Sequence, residues 1–307
     1  MPRLIPCPED GAPIALAELV QALNDQGFDP ADEESFAAAG PLLKRLAGNR
    51  DFLADIALAE LKDRCSRQSL ENRYSSQVII LHRASEDYFI RANFWPSERD
   101  SVFKASGNSP FFYHVPHDHN FSFLTVGYLG PGYWSDYYEY DHEAVIGLPG
   151  EKVDLRFIGR AKLDLGKVML YRAHRDVHDQ LPADDMSVSI NIMHAAPGLP
   201  FLNQHRFDPK RCEIVSILNR SSTEALLSLA ANHDGGNARD LVESFAARHP
   251  CDRIRFAALR ELAAAEPDLD VGLERLARGA AGANRFVAAM SARERARVAA
   301  NRSWSGR

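Results

Sequence analysis

Histidine is the residue type whose distribution in this sequence most clearly suggests chemistry. Eight of the 11 histidines fall between residues 114 and 205, less than a third of the chain. In the densest part, FYHVPHDHNF, one residue separates His117 from His119, and residues i and i+2 of a β-strand point to the same face. Two imidazoles can therefore converge on one metal ion from a single strand. His114 lies beyond Val115-Pro116 and would need a bend in the chain to join them.

A second histidine group lies downstream, in GKVMLYRAHRDVHDQLP. The apolar run before it predicts a buried strand, so His174 and His178 are expected in a loop just past the strand end. One neutral imidazole from this loop would complete a facial set of three histidines. Such a set leaves coordination positions open for water, substrate or dioxygen, as catalytic metal sites do. Asp176 is a candidate to orient His178 or His174 through the second ring nitrogen.

Helical patterns occupy both ends of the chain. Residues 13–72 carry apolar residues at three- and four-residue spacing, which predicts two to four short helices, interrupted at Gly27–Pro30 and at Gly40-Pro41. From about residue 221 the pattern is helical again, and DRIRFAALRELAAAE resembles one helix of a HEAT-like repeat. We expect these two segments to flank a central domain.

The central part reads as a series of short strands with frequent turns, which favours a sandwich or barrel. In MSVSINIM, Val188, Ile190 and Ile192 fall on one face of a predicted strand, and serines and Asn191 fall on the other. The predicted division is an N-terminal helical segment at 1–75, a β core at 76–210 and a C-terminal helical, HEAT-like segment at 211–307.

The histidines and the strands around them resemble the two sequence motifs of the cupin superfamily. His117-Asp118-His119 matches the HxH of the first motif, and Gly130 matches its trailing glycine. Gly166, followed by a strand and a turn that lead to His178, matches the second motif. The resemblance covers roughly residues 76–210. It implies a cupin double-stranded β-helix, or jelly roll, flanked by α-helices, and therefore an α+β protein with a mainly β core.

One departure from the cupin pattern bears on the metal. Phe123 occupies the position of the usual glutamate ligand, and thiol-dioxygenase-type cupins, which hold ferrous iron with three histidines, also lack it. The resemblance therefore implies metal ligands at His117, His119 and His178 and favours Fe(II). Imidazole ligands alone suit several metals, so Zn, Ni, Mn or Cu stay open. Glu139, His114 or His174 could also join the coordination.

Aromatic and charged residues near the motifs supply candidates for catalysis and substrate binding. Tyr171 lies on the strand before the third histidine and could face inward, and Glu139 could supply a carboxylate from the next strand. Guanidinium groups grip carboxylates with paired hydrogen bonds, so arginines are candidate anchors for an anionic substrate. The candidate catalytic residues are Tyr171 and Glu139, and the candidate substrate-binding residues are Arg172, Arg175 and Tyr138, with Arg91 as a further anchor.

These features favour an enzyme, a non-haem Fe(II) oxygenase or dioxygenase acting on a small molecule or peptide. Two alternatives stay open: a metal-dependent isomerase, hydrolase or lyase without redox chemistry, and a cupin that only binds or senses a ligand. The Walker-type loop, the GxSxG elbow and the HExxH helix do not occur in the sequence, which argues against ATP hydrolysis, serine esterase and zincin chemistry.

The composition of the chain indicates which partners and which location to expect. The chain has 307 residues, 45% hydrophobic and 25% charged, with a formal net charge of −6, so nucleic acid is not an expected partner. No stretch approaches the roughly 20 apolar residues that cross a bilayer, and the N-terminus lacks an apolar signal core. We therefore expect a cytoplasmic protein without membrane contact, whose four scattered cysteines stay reduced. A homodimer is compatible with the sequence.

Overall fold

The computed structural model describes residues 1–9, 11–72, 74–75, 77–83, 87–233 and 237–302. The chain divides into two compact units. The first comprises Met1–His142, Val153–Leu199 and Gln204–Glu213, and the second comprises Glu143–Lys152, Pro200–Asn203 and Ile214–Arg307. The N-terminal helices thus belong to the same unit as the β core. The three-segment division stays a prediction, and its boundary at Ser76 lies outside the described residues.

The described residues form an α+β protein, which confirms the predicted fold class. The strands are β1 (Arg3–Leu4), β2 (Val78–Arg83), β3 (Tyr88–Trp95), β4 (Phe123–Leu129), β5 (Trp134–Glu139), β6 (Arg156–Lys162), β7 (Val168–Tyr171), β8 (Asp176–Gln180), β9 (Ser187–His194), β10 (His205–Asp208) and β11 (Glu213–Ile217). The helices are α1 (Leu16–Asp25), α2 (Glu33–Gly48), α3 (Phe52–Lys62), α4 (Ser66–Glu71), α5 (Ser101–Ser106), α6 (Ser222–Ala231), α7 (Ala238–Arg248), α8 (Asp252–Ala264), α9 (Leu269–Ala280) and α10 (Arg285–Arg302).

Two antiparallel sheets build the core of the first unit. The larger sheet has six strands in the order β1-β7-β4-β9-β3-β2, and the smaller has three in the order β6-β5-β8. Side chains of both sheets meet in one apolar cluster, in which Tyr137 of β5 and Tyr171 of β7 lie with hydroxyl oxygens 3.0 Å apart. The sheets therefore face each other, as the cupin resemblance implies.

The two faces of the six-stranded sheet differ in what covers them. Val188, Ile190 and Ile192 of β9 belong to the apolar cluster that also contains buried residues of α1, α2 and α3. Their alternating neighbours Ser189 and Asn191 face the interior, where the Ser189 hydroxyl accepts a hydrogen bond from the Trp95 indole at 3.0 Å. The predicted alternation of this strand is thus present, with the helices on its apolar face.

The predicted interruption at Gly40-Pro41 is wrong, because α2 continues through both residues to Gly48. The buried face of this helix includes Ala39, Leu43 and Leu46, which lie in the same cluster as the outer face of the sheet. Packing of that face outweighs the backbone hydrogen bond that a proline inside a helix removes.

The second unit contains α6 to α10, so the predicted C-terminal helices are present. Its apolar cluster includes Leu227, Val242, Ile254 and Leu262, all nearly or fully buried. Its relation to HEAT repeats stays a prediction. Among the described residues, we find no helix with the length and apolar character required to cross a membrane.

Packing of the helices on the sheet can be tested by truncating one buried and one exposed leucine of β4. Leu124 is fully buried in the helix-facing cluster, whereas Leu129 is 52% exposed. We expect Leu124→Ala to lower the free energy of unfolding by about 2–5 kcal/mol, because it removes apolar contacts and leaves a cavity. Leu129→Ala should change it by about 0.5 kcal/mol or less. Urea unfolding followed by circular dichroism measures both, and equal losses would contradict the described packing.

Candidate metal centre

A reciprocal backbone pairing brings the two histidine segments together. The amide of His117 donates to the carbonyl of His178 at 3.0 Å, and the amide of His178 donates back to the carbonyl of His117 at 3.0 Å. Residues paired in this way lie side by side across an antiparallel ladder. The expectation that His178 lies in a loop is wrong: it lies in β8, opposite Tyr137 of β5. Pairing with β5 makes a strand of a segment whose polar sequence predicts a loop.

The side chains of His117, His119 and His178 converge on one point. The Nε2 atom of His178 lies 3.3 Å from Nε2 of His117 and 3.1 Å from Nε2 of His119. Imidazole nitrogens about 2.1 Å from a metal, at angles between right-angled and tetrahedral, are about 3.0–3.4 Å apart. Both distances suit ligands of one metal ion, and the ligand atoms of all three histidines lie within 4.8 Å of one another, so the predicted convergence of these histidines is present.

Burial prepares these imidazoles to bind a metal. All three rings are buried, and burial lowers the pKa of each, so they are neutral at pH 7. The Nδ1 atom of His117 lies 2.6 Å from the carbonyl oxygen of Val115, which places its proton on Nδ1 and leaves a lone pair on Nε2. This hydrogen bond fixes both the tautomer and the orientation of the ring.

In the described part of the chain, the group that could hold a metal here contains three histidines and no carboxylate. Phe123, at the position of the cupin glutamate, stacks on Tyr171 with ring centroids 4.4 Å apart and lies edge-on to His119 at 4.9 Å. Glu139 is held elsewhere, by the N-terminal amino group at 2.8 Å and by Arg172 at 3.2 Å. At the sequence position of the cupin glutamate, this chain thus has an aromatic ring that packs against His119.

The other predicted site residues differ in how they lie relative to the three histidines. Tyr171 is fully buried beside the histidines, with its ring centroid 5.0 Å from that of His178, and burial raises its pKa well above the usual value. Arg172 forms an ion pair with Asp176 at 2.7 Å, and Arg175 is exposed. Tyr138 packs edge-on against the exposed Phe157 on the outer side of β5. The structure thus brings only Tyr171 of this set close to the histidines, and the roles of all of them stay predictions.

Asp118 lies between the candidate ligands His117 and His119 and anchors the segment that carries them. Its carboxylate is fully buried and accepts hydrogen bonds from the His205 amide at 2.5 Å and the Tyr140 hydroxyl at 2.6 Å. Burial alone would raise the pKa of Asp118, but the surrounding His174, His205 and Tyr140 side chains outweigh it and hold the pKa well below its usual value. Sequence reasoning missed this role, although alternation within HDH places Asp118 opposite the ligands.

A cavity of about 380 Å³ opens beside the three histidines. Aromatic side chains, among them Trp95, Phe111, Phe123 and Tyr133, form much of its wall. Polar side chains complete the wall, including Arg91, Asn93, Gln180 and Asn191. Small-molecule sites have this volume and this mixture of apolar surface with a few polar groups. Of the predicted substrate-binding residues, Arg91 lies in this wall; Arg172, Arg175 and Tyr138 are not among its lining residues.

Comparisons with known proteins give distant similarities. No family model and no curated protein sequence matches the chain. Among solved structures, hydroquinone 1,2-dioxygenase from Sphingomonas sp. TTNP3 aligns at 10% identity and a TM-score of 0.28, over 41% of this chain and 69% of that chain. A DMSP lyase from Ruegeria pomeroyi aligns at 10% identity and a TM-score of 0.22, over 42% and 54%. Hazelnut vicilin aligns at 11% identity and a TM-score of 0.22, over 44% and 33%.

The fold and the candidate site are identified from the structure of the chain itself. Two facing antiparallel sheets enclose the core of the first unit, and the HxH pair and a histidine of β8 converge on one point between elements of that unit. This arrangement fits a cupin with a three-histidine metal site.

The anchoring role of Asp118 leads to a pH-dependent prediction. We expect Asp118→Asn to lower the free energy of unfolding by about 1–3 kcal/mol at pH 7, because an amide cannot replace both buried acceptor oxygens. The folded-state pKa of Asp118 is lowered, so its stabilisation is present above the unfolded-state pKa of about 4 and is lost as pH falls below it. The difference between wild type and Asp118→Asn should therefore shrink as pH decreases from about 5.

Urea unfolding of both proteins between pH 3 and pH 7 measures this difference. Asp164→Asn is the matched control, since Asp164 is exposed and its substitution should have little effect at any pH. A difference that stays constant over this range would show that the ionised form of Asp118 is not what stabilises the segment.

Proposed function

We propose that this protein is a metal-dependent cupin enzyme, an Fe(II) oxygenase that acts on a small molecule bound in the cavity beside the three histidines. The observation that carries the proposal is the facial set of His117, His119 and His178 opening on that cavity. A metal held on one face by three neutral nitrogens keeps other positions open, so that substrate and dioxygen can both reach it. When bound, ferrous iron would supply the activation of dioxygen, which side chains alone cannot perform.

The chain's own residues would bind, orient and shield. The aromatic wall, with Trp95, Phe111 and Tyr133, would keep water from the reacting atoms. The hydrogen bond from His117 to Val115 and the anchored Asp118 would keep the ligand segment rigid while substrates exchange. Iron is favoured over other metals by the resemblance to three-histidine cupins that lack the glutamate, since nitrogen ligands alone do not select it.

Metal content tests the centre directly. Full-length, untagged protein purified without oxygen should contain about one iron per chain by elemental analysis. His178→Ala should lose the metal, since it removes one of three ligands; we expect affinity to fall about 100-fold or more. His114→Ala is the matched control, because His114 is exposed and outside the group, and it should keep the metal. The absence of metal from the wild type, even after reconstitution, would contradict the proposal.

Oxygen consumption tests the reaction class. The iron-loaded protein should take up dioxygen with at least one member of a panel of thiols, amino acids, aromatic acids and peptides, measured with an oxygen electrode. His178→Ala should show no uptake, and His114→Ala should match the wild type. Stoichiometric zinc, nickel or manganese, with no oxygen uptake after iron loading, would instead support the non-redox alternative.

A further inference from the structure

Arg91 stands out among the residues that line the cavity. It lies on β3 between Phe89 and Asn93, and the odd-numbered residues of this strand face the interior, whereas Ile90 and Ala92 face the helices. Its guanidinium carbon lies 4.8 Å from the ring centre of Tyr74, which also lines the cavity. The sheet and this aromatic ring therefore hold a cation at the wall of the cavity.

The positive charge of Arg91 is not balanced by a carboxylate of the described residues. Within the described residues, no carboxylate lies within ion-pair distance of its guanidinium, and its buried Nε atom has no hydrogen-bond partner. Other arginines of the same unit differ: Arg172 is paired with Asp176, and Arg160 with Asp136. Burial lowers the pKa of Arg91 from its usual value, but a guanidinium remains protonated in proteins. The guanidinium is half-buried and contacts the ring of Tyr74 but no carboxylate of the described residues, so a ligand that supplies an anion would stabilise it.

Two further polar side chains in the cavity wall are also suited to bind a ligand. Asn93 Oδ1 and Gln77 Oε1 are buried acceptors without a hydrogen-bond partner among the residues that the structure describes, and both side chains line the same cavity. Buried side-chain acceptors are nearly always satisfied by protein, water or ligand. This part of the wall thus offers a cationic donor together with two free acceptors, which suits a ligand that carries an anion and an N–H or O–H group.

We propose that Arg91 is the anchor for the carboxylate of a small apolar or aromatic acid, whose body lies along the aromatic wall and whose other end faces the three histidines. The inference rests on the proposed function in taking this ligand to be the substrate. A carboxylate fits better than a phosphate, because Arg91 is the one cationic side chain among the described residues that line the cavity, and a single guanidinium balances a monoanion. The volume of about 380 Å³ limits the ligand to a small molecule.

Binding measurements with matched acids and amides test the anchor without requiring turnover. The probes are acetate, benzoate, 3-phenylpropanoate and hippurate, each compared with its neutral amide, titrated into the purified metal-loaded protein by calorimetry. We expect the best acid to bind about tenfold or more tightly than its amide, because the ionic hydrogen bonds to Arg91 require the carboxylate. Arg91→Met should abolish this preference, and Arg91→Lys should retain part of it.

Arg83→Met is the matched control. Arg83 also lies against an aromatic ring, with its guanidinium carbon 5.3 Å from the ring centre of Phe89, but it is exposed and outside the cavity. This variant should keep the full preference for acids. Equal affinity for acids and amides, or the absence of measurable binding by every acid, would overturn the proposal. Tighter binding of phenyl phosphate than of any acid would replace the carboxylate with a phosphate and also overturn it.

The metal itself is a competing anchor, so the titrations are repeated on metal-free wild type, prepared with a chelator, and on His117→Ala/His119→Ala. A preference for acids that persists without metal and disappears in Arg91→Met supports Arg91. A preference that disappears with the metal and persists in Arg91→Met would assign the carboxylate to the metal and overturn the proposal. Because these titrations do not involve oxygen, failure of the oxygenase reaction and failure of the anchor give different results.

Discussion

The reciprocal hydrogen bonds between the backbones of His117 and His178 are the constraint on which the candidate site depends. These residues are 61 positions apart in the chain, so nothing local brings them together. The pairing sets the lateral position of both side chains, and His119 then reaches the same point because it lies two residues from His117. Asp118 completes the arrangement from behind, where it ties the segment to the His205 amide and the Tyr140 hydroxyl.

The helices on the outer face of the large sheet explain why its inner face can be polar. In a sandwich with one solvated face, the apolar side chains of each strand point inward. Here α1, α2 and α3 cover the outer face, so Ile90, Ala92 and Ile190 find their apolar environment there. The inner face is then free to carry Arg91 and Asn191 next to aromatic rings. The N-terminal helices thus contribute to the cavity without lining it.

Part of this site could be predicted from the sequence, because the two-residue period of a β-strand and the clustering of histidines both indicate it. The three ligands share a residue type, and two of them are separated by one residue, so local geometry implies their convergence. The strand that carries His178 was not predictable, because DVHDQ is polar and becomes a strand only through pairing with β5. The helix through Pro41 was missed for the same reason, since long-range packing overrides a local signal.

Arginine roles could not be ranked from sequence, because an arginine's function depends on where its partner lies. Arg91, Arg172 and Arg175 are equivalent candidates in the sequence, yet one faces the cavity, one forms an ion pair with Asp176 and one is exposed. Charged residues within four positions of each other, such as Arg172 and Asp176, often pair. That local signal could have removed Arg172 from the candidates, whereas the position of Arg91 in the cavity wall comes only from the fold.

Charge balance links the two unusual features of the cavity. With Phe123 at the glutamate position, the three imidazoles would leave the full charge of a divalent metal uncompensated by the described ligands. Arg91 adds another positive charge to the same wall, and no carboxylate of the described lining residues offsets either. Positive charges in a cavity of low polarity attract anions strongly. An anionic substrate would offset part of this positive charge, so Phe123 at the glutamate position and Arg91 in the cavity wall favour the same class of ligand.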